Sequence, residues 1–277
     1  MAYMSRWSSI SGVSSDIGHA YLGITQFGPY PPEIEASLQS LMSFVEYRIN
    51  AIDDVARVAS EGPVCLAHAP DPEEDSFESI IASLVGCPRV VAVNCHARPN
   101  DEIWLCAECS RRLSESAMGL SACPYCSASN FKAYAATFGL EDACKKLRAA
   151  AQELANSGKT LLIENTYEPP ELMQRLLARV PEAGFTLDVG HSMIYGSGPA
   201  GYLRMIGDRL AHLHLHDNHG GNSERFHDEH LPPSQGNADW EGFARELRAI
   251  RFSGSATFEC VPLESWVRWW IAEMRLA

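Results

Sequence analysis

Long apolar runs are missing from this 277-residue sequence, and lysine is scarce. No stretch reaches the roughly 18 consecutive apolar residues of a membrane-crossing helix, and the opening MAYMSRWSSISGVSSD lacks the apolar block of a secretory signal. The expected location is therefore the cytoplasm, with no membrane partner. Positive charge is short as well: 22 basic residues stand against 35 acidic ones, a formal net charge of −13, and only Lys132, Lys145, Lys146 and Lys159 are lysines. That balance excludes a protein whose whole surface grips nucleic acid, because phosphate binding needs a concentrated basic face; a local basic groove is still allowed.

What is plentiful is apolar side chain, 46 % of the residues, enough at this length to bury one large α/β core. Cysteine is plentiful too. Nine cysteines suit no ordinary disulfide scaffold of this size, and four fall in CAECSRRLSESAMGLSACPYC. Cys106, Cys109, Cys123 and Cys126 make C-x2-C-x13-C-x2-C, and two such knuckles, each setting paired thiolates on a tight turn, suit one structural zinc closed by four sulfurs. Disulfides or free thiols are the other reading of the set. Cys65, Cys87, Cys95, Cys144 and Cys260 lie in apolar contexts and are expected in the core.

Short apolar runs recur, each ending on a polar residue: PVCLAHAP, RVVAVNCHARP, KTLLIENT, AGFTLDVGH, RLAHLHLHDN and GSATFECVP. Helical patterns lie between them. Leu140, Cys144, Leu147, Ala151 and Leu154 form one stripe; Leu172, Leu176 and Val180 form another after a Pro169-Pro170 start; Asp239 can cap a third helix carrying Phe243, Leu247 and Ile250. Alternating strand and helix implies a parallel sheet, and enough units close it into a barrel. The first 60 residues must then supply two strands, expected near 5–11 and 20–26, with little room for a helix between them. A single barrel domain over 1–277 is expected, with the cysteine ribbon inserted at 103–129 in a loop on the catalytic face.

His68, His96, Glu164, Asp188, His214 and Glu259 all stand at or near the C-terminal ends of predicted strands, the face on which barrel active sites are built. The stretch from 212 to 240 adds density, with six of the chain's ten histidines. In chain order the candidate ligands are His68, His96, Glu164, Asp188 with His191, His214, Asp228 with His230, and Glu259. His212 and His216 share the strand face of His214 by two-residue alternation and are expected to contact substrate or to orient the ligands. His219 and His227 are expected in solvated loop, and Arg204 on an exposed helix face. A mixed carboxylate and imidazole set binds Zn²⁺, Mn²⁺ or Mg²⁺, and more than four candidates exceed what one tetrahedral ion needs. Alternatively, His68 and His96 hydrogen-bond a substrate hydroxyl or phosphate beside a single ion.

The motifs HAP, LIEN, LDVGH, HLHDNHG, DEHLP and NADW, in this order and spacing over about residues 60 to 262, resemble the xylose isomerase-like TIM-barrel superfamily. That superfamily holds sugar (phosphate) isomerases and epimerases and the AP endonuclease family 2, of the endonuclease IV type. The resemblance implies a (β/α)8 TIM barrel, here with an inserted zinc ribbon. It also implies that Glu164, Asp188, His214 and Glu259 form the single-metal core of the epimerase branch. His68, His96, His191, Asp228 and His230 match the further ligands of a three-zinc cluster in the endonuclease branch. One to three ions in the barrel are thus implied, besides one zinc in the ribbon. Where relatives often read GEG before the DW helix, this chain has Ser234-Gln235-Gly236, which puts substrate contacts at that loop in doubt.

Two enzymatic chemistries follow, and one non-enzymatic alternative. The favoured expectation is a metal-dependent sugar or sugar-phosphate isomerase or epimerase, with Glu164 and Glu259 exchanging a proton and His191 beside them in the catalytic set. A hydride-shift isomerase of the xylose type would add a lysine at the site, whereas Lys159 precedes its strand. The alternative is phosphodiester hydrolysis on a three-zinc cluster, with nucleic acid as partner. Against it, the loop after His68 reads PDPEEDSFES, which would repel phosphate, although Arg98, Arg111, Arg112 and Lys132 near the ribbon could offset it. A binding scaffold without catalysis is the third class.

Overall fold

The computed structural model describes residues 21–26, 42–60, 65–97, 99, 103–106, 112–113, 127–129, 131–134, 139–166, 168–195, 198–220 and 228–275. In chain order these form β1 (Tyr21–Gln26), β2 (Phe44–Arg48), α1 (Ile52–Ser60), β3 (Cys65–His68), α2 (Phe77–Val85), β4 (Val90–His96), β5 (Ile103–Cys106), β6 (Arg112–Leu113) and β7 (Phe131–Tyr134). Then follow α3 (Leu140–Asn156), β8 (Thr160–Glu164), α4 (Pro170–Arg179), β9 (Gly184–Asp188), α5 (Val189–Tyr195), α6 (Gly198–Ile206), a 3-10 turn (Gly207–Arg209), β10 (Leu210–Leu215), α7 (Trp240–Ala249), β11 (Ser255–Phe258) and α8 (Glu264–Arg275). Eight strands close a barrel in the order β1-β11-β10-β9-β8-β4-β3-β2, every neighbouring pair parallel. Parallel strands share one C-terminal mouth, so whatever ends them is gathered there.

Local sequence explains the elements. The stripe Leu140, Cys144, Leu147, Ala151 and Leu154 is buried along α3, and Leu172, Leu176 and Val180 are buried on and just after α4, whose proline start sits where a helix has no N–H to lose. Asp239 caps α7, its Oδ1 accepting from Gly242 N at 2.9 Å, and Phe243 and Leu247 are buried; Ile250, one residue past the helix, is 41 % exposed, contrary to expectation. It follows the last turn, where the chain has already swung out of the stripe.

Two apolar layers result. The larger lies between strands and helices. The smaller fills the barrel's lower interior with Phe44, Leu66, Ala92 and Leu162, each two residues before Glu46, His68, Asn94 and Glu164 on the same strand. Two-residue alternation thus stacks a polar layer directly on an apolar plug. Gly23 makes room for the plug, because a Cβ there would strike the Phe44 ring.

The early strands correct the sequence reading. β1 coincides with the expected strand near 20–26, but the barrel's second strand is Phe44–Arg48, and α1 also falls within the first 60 residues. Residues 5–11 lie outside the described residues. FVEYR does not read as a core strand, because Glu46 and Arg48 break its apolar look, yet Glu46 is fully buried.

Between β4 and α3, where the ribbon was expected, β5, β6 and β7 form a separate antiparallel sheet in the order β6-β5-β7, which runs to Tyr134, beyond the expected limit of 129. Cys106 ends β5; Cys109, Cys123 and Cys126 lie outside the described residues. The remaining cysteines, Cys65, Cys87, Cys95, Cys144 and Cys260, are free and buried as expected, and burial pushes the Cys65 thiol up to about 12. Among the described residues, no helix is long and apolar enough to cross a membrane.

Candidate metal centre

The strand ends supply the site. His68, His96, Glu164 and Asp188 are the last residues of β3, β4, β8 and β9, and Glu259 follows β11 directly. On β10, period-two alternation turns His212, His214 and, just past the strand, His216 to the interior; all three are fully buried. His191 stands three residues after Asp188 in the first turn of α5, where its N–H donates to Asp188 Oδ1 at 2.6 Å. Asp228 and His230 come from a loop tied to the segment just past β10 by paired backbone bonds between Asp217 and Leu231.

Four residues from four adjacent strands face a common point: ligand atoms of Glu164, Asp188, His214 and Glu259 lie within 4.8 Å of one another. His214 Nδ1 is 3.2 Å from Glu164 Oε2, 3.3 Å from Glu259 Oε1 and 3.7 Å from Asp188 Oδ2. To one side, His68 Nε2 lies 3.2 Å and His96 Nε2 3.4 Å from the oxygens of Glu164. To the other, His191 Nε2 and His230 Nε2 meet Asp228 Oδ2 at 3.1 and 2.7 Å. His216 joins them, its Nε2 3.0 Å from Asp188 Oδ2 and its ring stacked on His230 with centroids 4.2 Å apart. All nine expected ligand positions therefore converge.

The imidazoles are oriented from behind. Nδ1 of His68, His191 and His230 donates to the carbonyl oxygens of Ala69 (3.1 Å), Asn165 (3.0 Å) and Glu259 (2.8 Å), and Nδ1 of His96 donates to Asp71 Oδ1 (2.9 Å). A proton held on Nδ1 leaves Nε2 with its lone pair toward the site. Glu164 is steadied by Asn94, which donates to its Oε2 while accepting from Thr186 Oγ1 at 2.7 Å.

These residues fit a divalent ion. Glu164 Oε1, His214 Nδ1 and His216 Nδ1 are buried and have no hydrogen-bond partner, which a folded protein tolerates poorly without a ligand to satisfy them. Carboxylate with imidazole is also the donor chemistry of zinc and manganese sites. In the ion-free protein the carboxylates and imidazoles compensate one another. Burial works to raise Glu164, but His214 and His96 outweigh it and hold its carboxyl well below the usual range. Glu259 goes the other way, raised by burial and by the negative Glu164 and Asp188, with His214 opposing. Burial would lower His96 and His230, yet Glu164 with Asp71, and Asp228 with Glu259, hold both up at about 9.

Several residues escaped the sequence reading. Glu46 lies beneath His214, Asn94 beside Glu164, Asp71 behind His96, and Asp217 under the 228–240 loop. Asp71 belongs to the acidic loop after His68, so one of its charges turns inward, while Glu73, Glu74 and Asp75 are exposed. As expected, His219 is solvated, paired with Glu229, and Arg204 is exposed; His227, Arg98 and Arg111 lie outside the described residues. In the departing Ser234-Gln235-Gly236 turn, Ser234 N donates to Asp217 Oδ2 at 2.9 Å, and Gly236 packs so closely on Asp217 and Asn218 that a Cβ has no space.

Known proteins agree with this architecture. The family model described as xylose isomerase-like TIM barrel matches residues 102–276. Uncharacterized protein y4fM of Sinorhizobium fredii is 31 % identical over 111 residues, 39 % of this chain and 34 % of the relative, so the match spans about a third of that protein. A crystal structure of a D-tagatose 3-epimerase-like protein superposes with a TM-score of 0.59 at 16 % identity, covering 92 % of this chain and 97 % of the other. The IOLI protein with a binding zinc atom superposes with a TM-score of 0.57 at 14 % identity, covering 92 % and 95 %. The chain belongs to the xylose isomerase-like TIM barrel family.

Proposed function

We propose that the protein is a divalent-metal-dependent isomerase or epimerase of a sugar or sugar phosphate, in which Glu164 and Glu259 move one proton. The observation that carries this reading is the placement of the two glutamates at the C-terminal ends of β8 and β11, separated around the barrel by β9 and β10, whose Asp188 and His214 complete the shared point. In the ion-free protein their surroundings also drive their acidities apart, Glu164 down through His214 and His96, and Glu259 up through burial.

A divalent ion held by Glu164, Asp188, His214 and Glu259 would supply polarisation of a substrate carbonyl and its adjacent hydroxyl. Glu164 takes the proton from the carbon beside that carbonyl, and Glu259 returns one from the other side. Asn94 holds Glu164 in place, and the buried His216, with Nδ1 unpartnered, offers a hydrogen bond to a substrate hydroxyl. Proton transfer is preferred over a hydride shift because Lys159 binds Val85 O at 2.9 Å at the opposite end of β8. The likeness to the superposed D-tagatose 3-epimerase-like protein supports the same substrate class.

The test is turnover of ketoses and their phosphates in D2O. Deuterium should enter the carbon that changes configuration, and Glu164→Gln and Glu259→Gln should each abolish turnover in a folded protein. Turnover without deuterium uptake, or at full rate in either variant, would sink the two-glutamate reading.

A second reading, phosphodiester hydrolysis with a three-zinc cluster, is favoured by the two flanking donor sets, His68 and His96 with Glu164, and His191 and His230 with Asp228. The exposed Glu73, Glu74 and Asp75 and the net charge of −13 work against a nucleic acid there. Elemental analysis separates the two. One barrel ion beside the ribbon zinc expected at Cys106, Cys109, Cys123 and Cys126 supports the isomerase; three barrel zincs support hydrolysis, to be followed by assays on abasic DNA.

A further inference from the structure

We propose that Glu46 is a positioning residue that sets which nitrogen of His214 faces the metal. It rests on the reading of the four-residue cluster as a metal site. His214 differs from the other expected ligands. Its Nδ1 points at Glu164, Asp188 and Glu259 with no backbone oxygen holding it, whereas His68, His96 and His230 have Nδ1 engaged by carbonyl or carboxylate oxygen and turn Nε2 to a site carboxylate; His191 is intermediate, its Nδ1 donating to Asn165 O while lying 3.3 Å from Glu164 Oε1 and 3.4 Å from Asp188 Oδ2.

The cause lies one layer down. Glu46, on β2 and fully buried, receives His214 Nε2 almost symmetrically, at 3.2 Å to Oε1 and 3.1 Å to Oε2. One N–H forked across both oxygens is the geometry of an imidazole donating to a carboxylate. With its proton committed downward, neutral His214 has its lone pair on Nδ1, which is the buried atom without a partner. A carboxylate behind a ligating histidine also raises its basicity.

His212 keeps Glu46 from turning away. Its Nε2 lies 3.3 Å from Glu46 Oε2 and 3.0 Å from Thr257 Oγ1, and its Nδ1 lies 2.7 Å from Ser255 Oγ. Glu46, His212 and His214 Nε2 also lie close enough to hold an ion of their own. They are nonetheless satisfied by one another and by Ser255 and Thr257, whereas Glu164 Oε1, His214 Nδ1 and His216 Nδ1, which have no hydrogen-bond partner, belong to the layer above. The lower cluster is therefore support for the centre rather than a second centre.

The experiment is a zinc titration of chelator-stripped full-length protein against a chromophoric competitor, with histidine ¹⁵N spectra of the zinc-loaded protein. Glu46→Gln, close in shape to Glu46, should weaken the barrel ion about 10–100-fold while circular dichroism stays unchanged. In the wild type, His214 should show a metal-bound Nδ1 and a protonated Nε2. Coordination of His214 through Nε2, or an ion located between Glu46 and His212 in zinc-soaked crystals, overturns the proposal. So does Glu46→Gln binding as tightly as wild type. If wild-type protein takes up no barrel ion at all, the metal reading fails and the inference with it. Should Glu46→Gln not fold, the wild-type spectrum alone decides.

Discussion

Asp217→Asn, a change of one atom, is expected to be costly, because the Asp217 carboxylate is used only as an acceptor. Its Oδ1 receives Asn218 N at 2.9 Å and Ala238 N at 3.1 Å, and its Oδ2 receives Ser234 N at 2.9 Å and Trp240 Nε1 at 2.8 Å. An asparagine offers one oxygen and one NH2, so in either flip two of the four donors face another donor. Hydrogen bonds to a charged acceptor contribute about 1.5–3 kcal/mol each, and two lost together total about 3–6 kcal/mol. The upper end is not reached, since the 228–240 loop can swing away and rehydrate; about 3 kcal/mol is the expected loss. That loop delivers Asp228 and His230, so the same substitution should weaken any ion held on their side. Urea unfolding at constant m-value measures the first effect and zinc titration the second. A stability change under about 1 kcal/mol with unaltered zinc binding would show that the Asp217 network does not hold the loop.

Other perturbations have defined outcomes. A Cβ at Gly190 would run into the His216 ring, so Gly190→Ala should cost about 1–3 kcal/mol by overpacking and displace His216, despite alanine's better helix propensity; a crystal structure with His216 unmoved would contradict this. In the ion-free protein the His96 and His230 imidazoles are held at about 9 by their carboxylate neighbours, above the unfolded value of about 6.5. Their contribution to stability is thus full below pH about 6.5 and lost as pH rises through about 9. Chelator-stripped protein should unfold at lower urea near pH 9.5 than near pH 6.5, less so in His96→Gln, and zinc loading at neutral pH should release protons. Cys65, Cys87, Cys95, Cys144 and Cys260 are buried, and burial raises the thiols of Cys65, Cys95, Cys144 and Cys260, so mass spectrometry after brief native alkylation should find all five unmodified; rapid labelling of Cys95 would contradict the packing of β4.

Much of the barrel was legible because local periodicity says which face of an element is buried. The stripes of α3 and α4 and the polar residues closing β3, β4, β8 and β9 are properties of a few adjacent residues. FVEYR failed that test, since a strand whose inward residue is a glutamate does not look like core, and so β2 and its Glu46 were missed together.

The sequence by itself determined the alternation of strand and helix, the strand ends on which metal-ligating residue types fall, and the capping of α7 by Asp239. Tertiary structure alone decided who meets whom. Glu46 and His214 are 168 residues apart and Asn94 and Glu164 are 70 apart, yet each pair is in hydrogen-bond contact, because closing eight parallel strands brings neighbours in space together without regard to distance along the chain. Which nitrogen an imidazole presents depends on those neighbours. A strand's period fixes where His214 points; the carboxylate beneath it, supplied by a strand from the other end of the chain, fixes which end of the ring carries the proton.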